Sequence, residues 1–194
     1  MGICIQTYDI LRTELFKPAA ALEADYFKQH LLDNIFQKKP YKLVGTKHDG
    51  SRTFDDYLDN DNLPEYCFRD QTNDRKFWVE IEHRSRWRGG YPHQYVPSIA
   101  GKRLSRYKKY DALRRMFLAI TVGGDNKYGN PLEYYLVPVR FINPGNVLYR
   151  KMLQYFVIRN VDSAVHDPES PLSSAALWDR FNWKRAASGK EIRQ

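Results

Sequence analysis

The sequence predicts an α/β fold in which a mixed β-sheet is flanked by helices. Three observations predict it. Residues 77–83 alternate strictly between apolar and polar or aromatic positions, as a strand does. Residues 117–122 form a continuous apolar strand that ends at Gly123-Gly124. Segments 18–36 and 99–116 carry apolar residues near helical spacing. The order helix, strand, hairpin, helix, strand, strand then fits a sandwich of helices around a sheet.

In the first helix, residues 18–36, Leu22, Tyr26, Leu31 and Ile35 recur near helical spacing, with Asp25, Lys28 and Gln29 between them. Pro40 marks the exit, and residues 41–45 form a short strand. Residues 47–62 are polar and acidic (Asp49, Asp55, Asp56, Asp59, Asp61) and predict a loop. Residues 66–68 and 77–83 make a β-hairpin around the turn cluster 70–74, whose residues tolerate left-handed or Asx-turn geometry. The run Gly89-Gly90-Tyr91-Pro92 breaks the pattern. The helix over 99–116 follows, with Leu104, Tyr107 and Leu113 on its inward stripe. A further strand covers 134–139, and residues 152–158 predict a strand or a helix. A polar, Pro- and Ser-containing stretch, residues 178–183 and a basic tail end the chain.

The chain of 194 residues is long enough to bury a core and predicts a single domain, with its core at about 18–142 and a C-terminal extension at 147–194. Its two cysteines form no Cys-x-x-Cys pair, which argues against a zinc ribbon or a disulfide framework. No run approaches the roughly 18 apolar residues of a membrane helix, so a cytoplasmic protein without a membrane partner is expected. Lys and Arg number 31 against 23 Asp and Glu, a formal charge of +8 that raises the odds of a polyanionic partner.

Glu80 and Glu82 project to one strand face with Trp78, about 7 Å apart along the chain. If the hairpin closes around residues 72 and 73, antiparallel pairing sets Glu65 opposite Glu80. Three carboxylates converge, and like charges so close raise each other's pKa unless a cation intervenes. Mg²⁺ or Mn²⁺ suits such oxygen ligands and could activate a water against a phosphodiester. The bland alternative is an exposed face whose glutamates pair with Lys76, Arg84 or Arg86. Trp78 argues against it, because a large aromatic points to a covered face.

Residues 63–70 (Leu-Pro-Glu-Tyr-Cys-Phe-Arg-Asp) and 77–84 (Phe-Trp-Val-Glu-Ile-Glu-His-Arg) resemble the signature of the PD-(D/E)xK nuclease superfamily, which includes many restriction endonucleases. Pro64-Glu65 stands where the family has Pro-Asp, and Glu80-x-Glu82 where it has an acid, any residue and lysine. The likeness covers about residues 20–140. It implies a restriction-endonuclease-like core and an endonuclease acting on DNA with Mg²⁺ or Mn²⁺. Glu65, Glu80 and Glu82 would be catalytic, with Glu65 and Glu80 holding the metal. Glu82 departs from the family's lysine, for which Lys108 or Lys109 could substitute in space. A further family glutamate on the first helix would match Glu23, with Lys28 nearby.

The second helix carries Lys102, Arg103, Arg106, Lys108, Lys109, Arg114 and Arg115 against one acid, Asp111. A solvated face is the ordinary explanation, but so many cations with so little counter-charge favour phosphate contact. Arg84 and Arg86 join Lys102, Arg103, Arg106, Lys108 and Lys109 as nucleic-acid-binding candidates. Trp87 in the adjoining loop is a candidate for base stacking or for the core. His83 points away from Glu82, and no histidine shows metal-ligand spacing. RNA in place of DNA, and a homodimer cutting both strands, stay open. So do two rivals: a retired nuclease fold that binds nucleic acid or protein without cutting, and an interaction protein whose basic face meets an acidic partner.

Overall fold

A computed structural model describes residues 19–36, 40–46, 63–123, 133–145, 147–158 and 172–182. Helix α1 (Ala19–Leu31) runs into a π-helical turn, Leu32–Phe36. Strands β1 (Tyr41–Thr46), β2 (Tyr66–Asp70) and β3 (Lys76–Arg84) form an antiparallel meander. After β4 (Tyr95–Pro97), helix α2 (Gly101–Leu113) carries the chain to β5 (Met116–Val122), which pairs parallel to β3. Strand β6 (Glu133–Pro138) lies antiparallel to β5. Then come β7 (Val147–Tyr149), α3 (Arg150–Leu153), β8 (Val157–Ile158) and α4 (Ser174–Asp179). The main sheet has the order β1-β2-β3-β5-β6-β8, and β4 and β7 make a separate ribbon. The fold is therefore a mixed six-stranded sheet flanked by helices, as the sequence pattern predicts.

The alternation of β3 sorts the core into two layers. Phe77, Val79 and Ile81 face α1, its π turn and α4, packing with Leu31, Ile35, Phe36 and Leu177. Trp78 faces α2 and packs with Leu104, Tyr107 and Tyr110. Central β5 is buried at every position because helices cover both its faces. Parallel pairing of β3 and β5 needs a crossover, and α2 supplies it.

Two expectations are corrected here. Tyr26, on the apolar repeat of the first helix, is 60% exposed while Phe27 beside it is buried. Leu113 does not belong to the inward stripe of α2 and is 74% exposed. It stands nine residues after Leu104, about half a turn out of phase at 100° per residue, so Tyr110 and Asp111 take the buried positions. Asp111 accepts hydrogen bonds from the Met116 amide (2.9 Å) and Arg140 Nε (3.0 Å), which fixes the helix-to-strand turn. The side chains of Leu22 and Glu23, the acidic loop 47–62, Gly124 and the tail from Trp183 lie outside the described residues. Among the described residues, no helix is long and apolar enough to cross a membrane.

The C-terminal segments join the sheet layers. Strand β8 pairs with β6, and α4 docks on the far layer through one buried acid. Asp70, at the end of β2 and fully buried, accepts from Ser174 Oγ (2.5 Å), Trp178 Nε1 (2.7 Å) and the Thr72 amide (2.9 Å). The last of these is an Asx turn, and Asp74 in the same turn has a φ of 58°, the left-handed geometry its residue type tolerates. Burial alone would push the Asp70 carboxyl up, but the donors on Ser174, Trp178 and Thr72 outweigh it and hold the group below its ordinary value of 3.8. A depressed folded-state pKa contributes stability above the unfolded value and loses it as pH falls through the folded value. Asp70→Ala should cost about 3 kcal/mol at neutral pH in urea unfolding, because it strands two charge-assisted donors. The gap from the parent should narrow as pH falls below 3.8.

Candidate functional site

The hairpin register brings the acids together. Tyr66 pairs with Val79 and Phe68 with Phe77, so one further step sets Glu65 opposite Glu80. At that step the side chains take over from the backbone ladder. The Glu65 amide donates to Glu80 Oε2 at 3.0 Å, and the Ile81 amide donates to Glu65 Oε2 at 3.3 Å. Glu82 follows on the same face of β3. This face is covered by α2, as Trp78 implies, and the Glu80 side chain is only 6% exposed.

Each carboxylate meets a cation. From α2, Arg103 Nη2 hydrogen-bonds Glu80 Oε1 and approaches Glu82 Oε1 to 2.5 Å. The second contact brings opposite charges together without hydrogen-bond alignment, which leaves buried Glu82 Oε1 lacking a directed donor. Arg84 Nη1 donates to Glu82 Oε2 at 2.9 Å. From α1, Lys28 Nζ donates to Glu65 Oε1 at 2.5 Å. Tyr107, one turn after Arg103, accepts from Arg103 Nε at 2.5 Å, is hydrogen-bonded to Glu80, and lies with its ring 5.4 Å beneath the guanidinium. Burial and the charge of Glu80 raise the Tyr107 pKa, so its hydroxyl keeps its proton.

Glu65 carries the strain of this packing. Burial pushes its carboxyl above the ordinary range. The hydrogen bond from Lys28 pulls it back in part, and the charge of Glu80 pushes it further up. Burial would lower the Lys28 pKa, but the bond to Glu65 and its charge reverse the sign and raise it. Burial and the like charge of Glu80 therefore outweigh the lysine at Glu65, while Lys28 itself stays protonated. Among the described residues, no three acidic, histidine or cysteine side chains form a ready-made cation cage. The space between Glu80 and Glu82 is taken by Arg103.

The remaining predicted residues divide by position. Arg84 and Arg103, expected to meet nucleic acid, are engaged with the carboxylates. Arg86, Lys102 and Lys109 are exposed, and Arg106 and Lys108 are half-buried. The lysine that reaches the acids comes from α1, not from Lys108 or Lys109. Arg103 and Tyr107 share the inward face, and Lys109 is about 200° round from Tyr107. Lys28 and Tyr107 were therefore missed as site residues. Arg103-x-x-x-Tyr107 at one-turn spacing was the available signal for the second. His83 points to the opposite layer as expected, its ring tilted 31° against Phe27 at 4.0 Å and its Nδ1 2.9 Å from Thr121 Oγ1.

Lys28→Met should destabilise the fold at neutral pH, where ionised Glu65 loses its partner, and should raise the Glu65 pKa further. The raised carboxyl already disfavours its charged form, so the stability difference should shrink as pH falls through Glu65's folded value toward 4.5 and below. Urea unfolding across that window, with Glu65 followed by NMR, checks the sign.

No family model matches the chain, and no curated protein matches it. Among solved structures it is similar to Hjc, a Holliday junction resolvase of Archaeoglobus fulgidus, with 10% sequence identity over 71% of this chain and 97% of that chain and a TM-score of 0.45.

Proposed function

We propose that this chain is a metal-dependent nuclease-like hydrolase of DNA phosphodiester bonds, working as one folded unit in the cytoplasm. The observation that supports the reading is pairwise: the Glu65 amide donates to Glu80, Glu80 and Glu82 share Arg103, and Lys28 reaches Glu65. The donor chemistry suits Mg²⁺ or Mn²⁺, since all three side chains offer hard carboxylate oxygens, although Glu82 Oε1 now faces Arg103 Nη2 at 2.5 Å and the acids form no ready-made cage among the described residues. Glu65 and Glu80 would hold the ion, with Glu82 as a third ligand or as the group that orients water. A divalent cation there supplies an activated water and neutralises developing charge.

The chain's own residues have definite tasks in this reading. Lys28 holds Glu65 in place and keeps its proton. Tyr107 does the same for Glu80. Arg103 must leave the space between Glu80 and Glu82 for an ion to enter, and its planar fork then suits a phosphate. Lys102, Arg86 and Lys109 supply exposed charge for the backbone, and RNA presents the same phosphate chemistry. Two copies acting together would cut both strands.

A second reading rests on Arg103 itself. With Lys28, Arg84 and Arg103 already neutralising all three acids, the cluster is electrostatically complete without a metal, which favours a nuclease fold that binds nucleic acid or protein without cutting.

Calorimetry with Mn²⁺ separates the two. The hydrolase reading expects a binding isotherm that Glu80→Ala abolishes, and plasmid cleavage with Mg²⁺ or Mn²⁺ that falls by at least about 100-fold in the same variant. Salt-sensitive DNA binding with neither heat nor cleavage selects the second reading.

A further inference from the structure

The ribbon of β4 and β7 stands beside the carboxylate cluster, joined to it where Arg84 Nε donates to the Pro97 carbonyl at 3.3 Å. Its outer end shows three large aromatic rings to solvent: Tyr91 is 91% exposed, Tyr155 53% and Tyr149 51%. Single exposed tyrosines are ordinary, but these three border two adjoining clefts that share Pro92 and Lys151. Tyr149 packs one side of its ring against Tyr95, with 6.2 Å between centroids.

Charge on this ribbon has one sign. Segments 85–97 and 147–158 contain Arg86, Arg88, Arg150 and Lys151 and no Asp or Glu. Arg150 is consumed by Glu133 of β6, which also accepts from Trp87 Nε1 at 3.1 Å. Trp87, the aromatic that the sequence marks for stacking, is thus packed inward, its ring 6.0 Å from that of Tyr135. Arg86, Arg88 and Lys151 have no acidic partner among the described residues.

The backbone beneath the rings is held. Arg88 and Tyr95 exchange hydrogen bonds of 2.8 and 2.9 Å, and the Arg150 amide donates to the Gln94 carbonyl at 2.8 Å. Gly89 turns the chain with φ +73°, and a Cβ there would meet the His93 carbonyl at 3.1 Å and the Tyr95 ring at 3.3 Å. Rings on a fixed backbone, with Lys151 lining both clefts and no acid in either lining or in the ribbon's own segments, match the chemistry of a strand whose base faces are open. Duplex DNA offers phosphates but hides those faces.

We propose that the ribbon binds unpaired nucleotides, with Tyr91, Tyr149 and Tyr155 stacking on bases while Arg86, Arg88 and Lys151 take phosphates. This rests on the nucleic-acid reading above and adds a substrate class to it: strands with unpaired bases next to the acidic cluster.

Fluorescence anisotropy at low salt tests it with three probes of equal length: a thymidine strand, its abasic counterpart and a duplex. The parent protein should bind the thymidine strand about tenfold or more tighter than the abasic strand. Tyr91→Ala combined with Tyr155→Ala should remove that preference and leave abasic binding unchanged, and the corresponding Phe changes should keep it. Arg88→Ala with Lys151→Ala should weaken both strands alike and flatten the salt dependence. Equal affinity for the thymidine and abasic strands, a preference that survives the alanine pair, or no binding to either strand overturns the proposal. Metal-dependent cleavage without base preference would remove the ribbon proposal alone. Base preference without cleavage would remove the hydrolase reading and leave the ribbon standing.

Discussion

The Arg103 guanidinium between Glu80 and Glu82 is the contact on which the architecture of this half of the molecule depends. Strands β3 and β5 run parallel, so a crossover helix must lie across the sheet. The face it covers is the one that carries the glutamates. Closing a helix over ionised carboxylates costs several kcal/mol per charge unless a cation enters with them. Arg103 enters with α2 itself, and Tyr107 one turn later steadies it through the Nε hydrogen bond and its ring. Helix, cation and acids are therefore a single packing solution, whatever chemistry they also perform.

The same logic recurs at lower charge elsewhere. Asp111 lies in the last turn of α2 and is matched by Arg140. Asp70 ends β2 and is matched by neutral donors on α4, and Glu133 begins β6 and is matched by Arg150. In each case a buried or half-buried acid sits where an element starts or stops, and a group distant in sequence satisfies it. These internal pairs leave the basic surplus of the chain undiminished, because each arginine they commit takes an acid with it.

Local pattern made much of this legible in advance. Strict alternation in β3 assigned Trp78, Glu80 and Glu82 to one face, and the turn residues at 70–74 set a register that places Glu65 against Glu80. The apolar run of β5 was equally plain. Lys28 was not legible as a partner of Glu65, because the pairing spans 37 positions and depends on how α1 lies against the sheet. Leu113 misled for a simpler reason: it is apolar and close to a helical repeat, yet half a turn out of phase with Leu104. Arg103 reads from the sequence as a phosphate-contacting cation, because charge composition cannot say which members of a basic helix face inward. The C-terminal segment was the least readable, since β8 has two residues and α4 six, too few for periodicity to speak.

The bonds by which Glu80 accepts the Glu65 amide and Glu65 accepts the Ile81 amide carry one more consequence. Each carboxylate accepts a backbone amide from the other's strand at the place where the two strands stop pairing, so the acids act as end-stops of the hairpin. Both acids would be kept for the sake of the fold, whatever chemistry the site performs. Their presence in a relative would thus be a poor witness to activity, and groups without such a mechanical duty would be better ones.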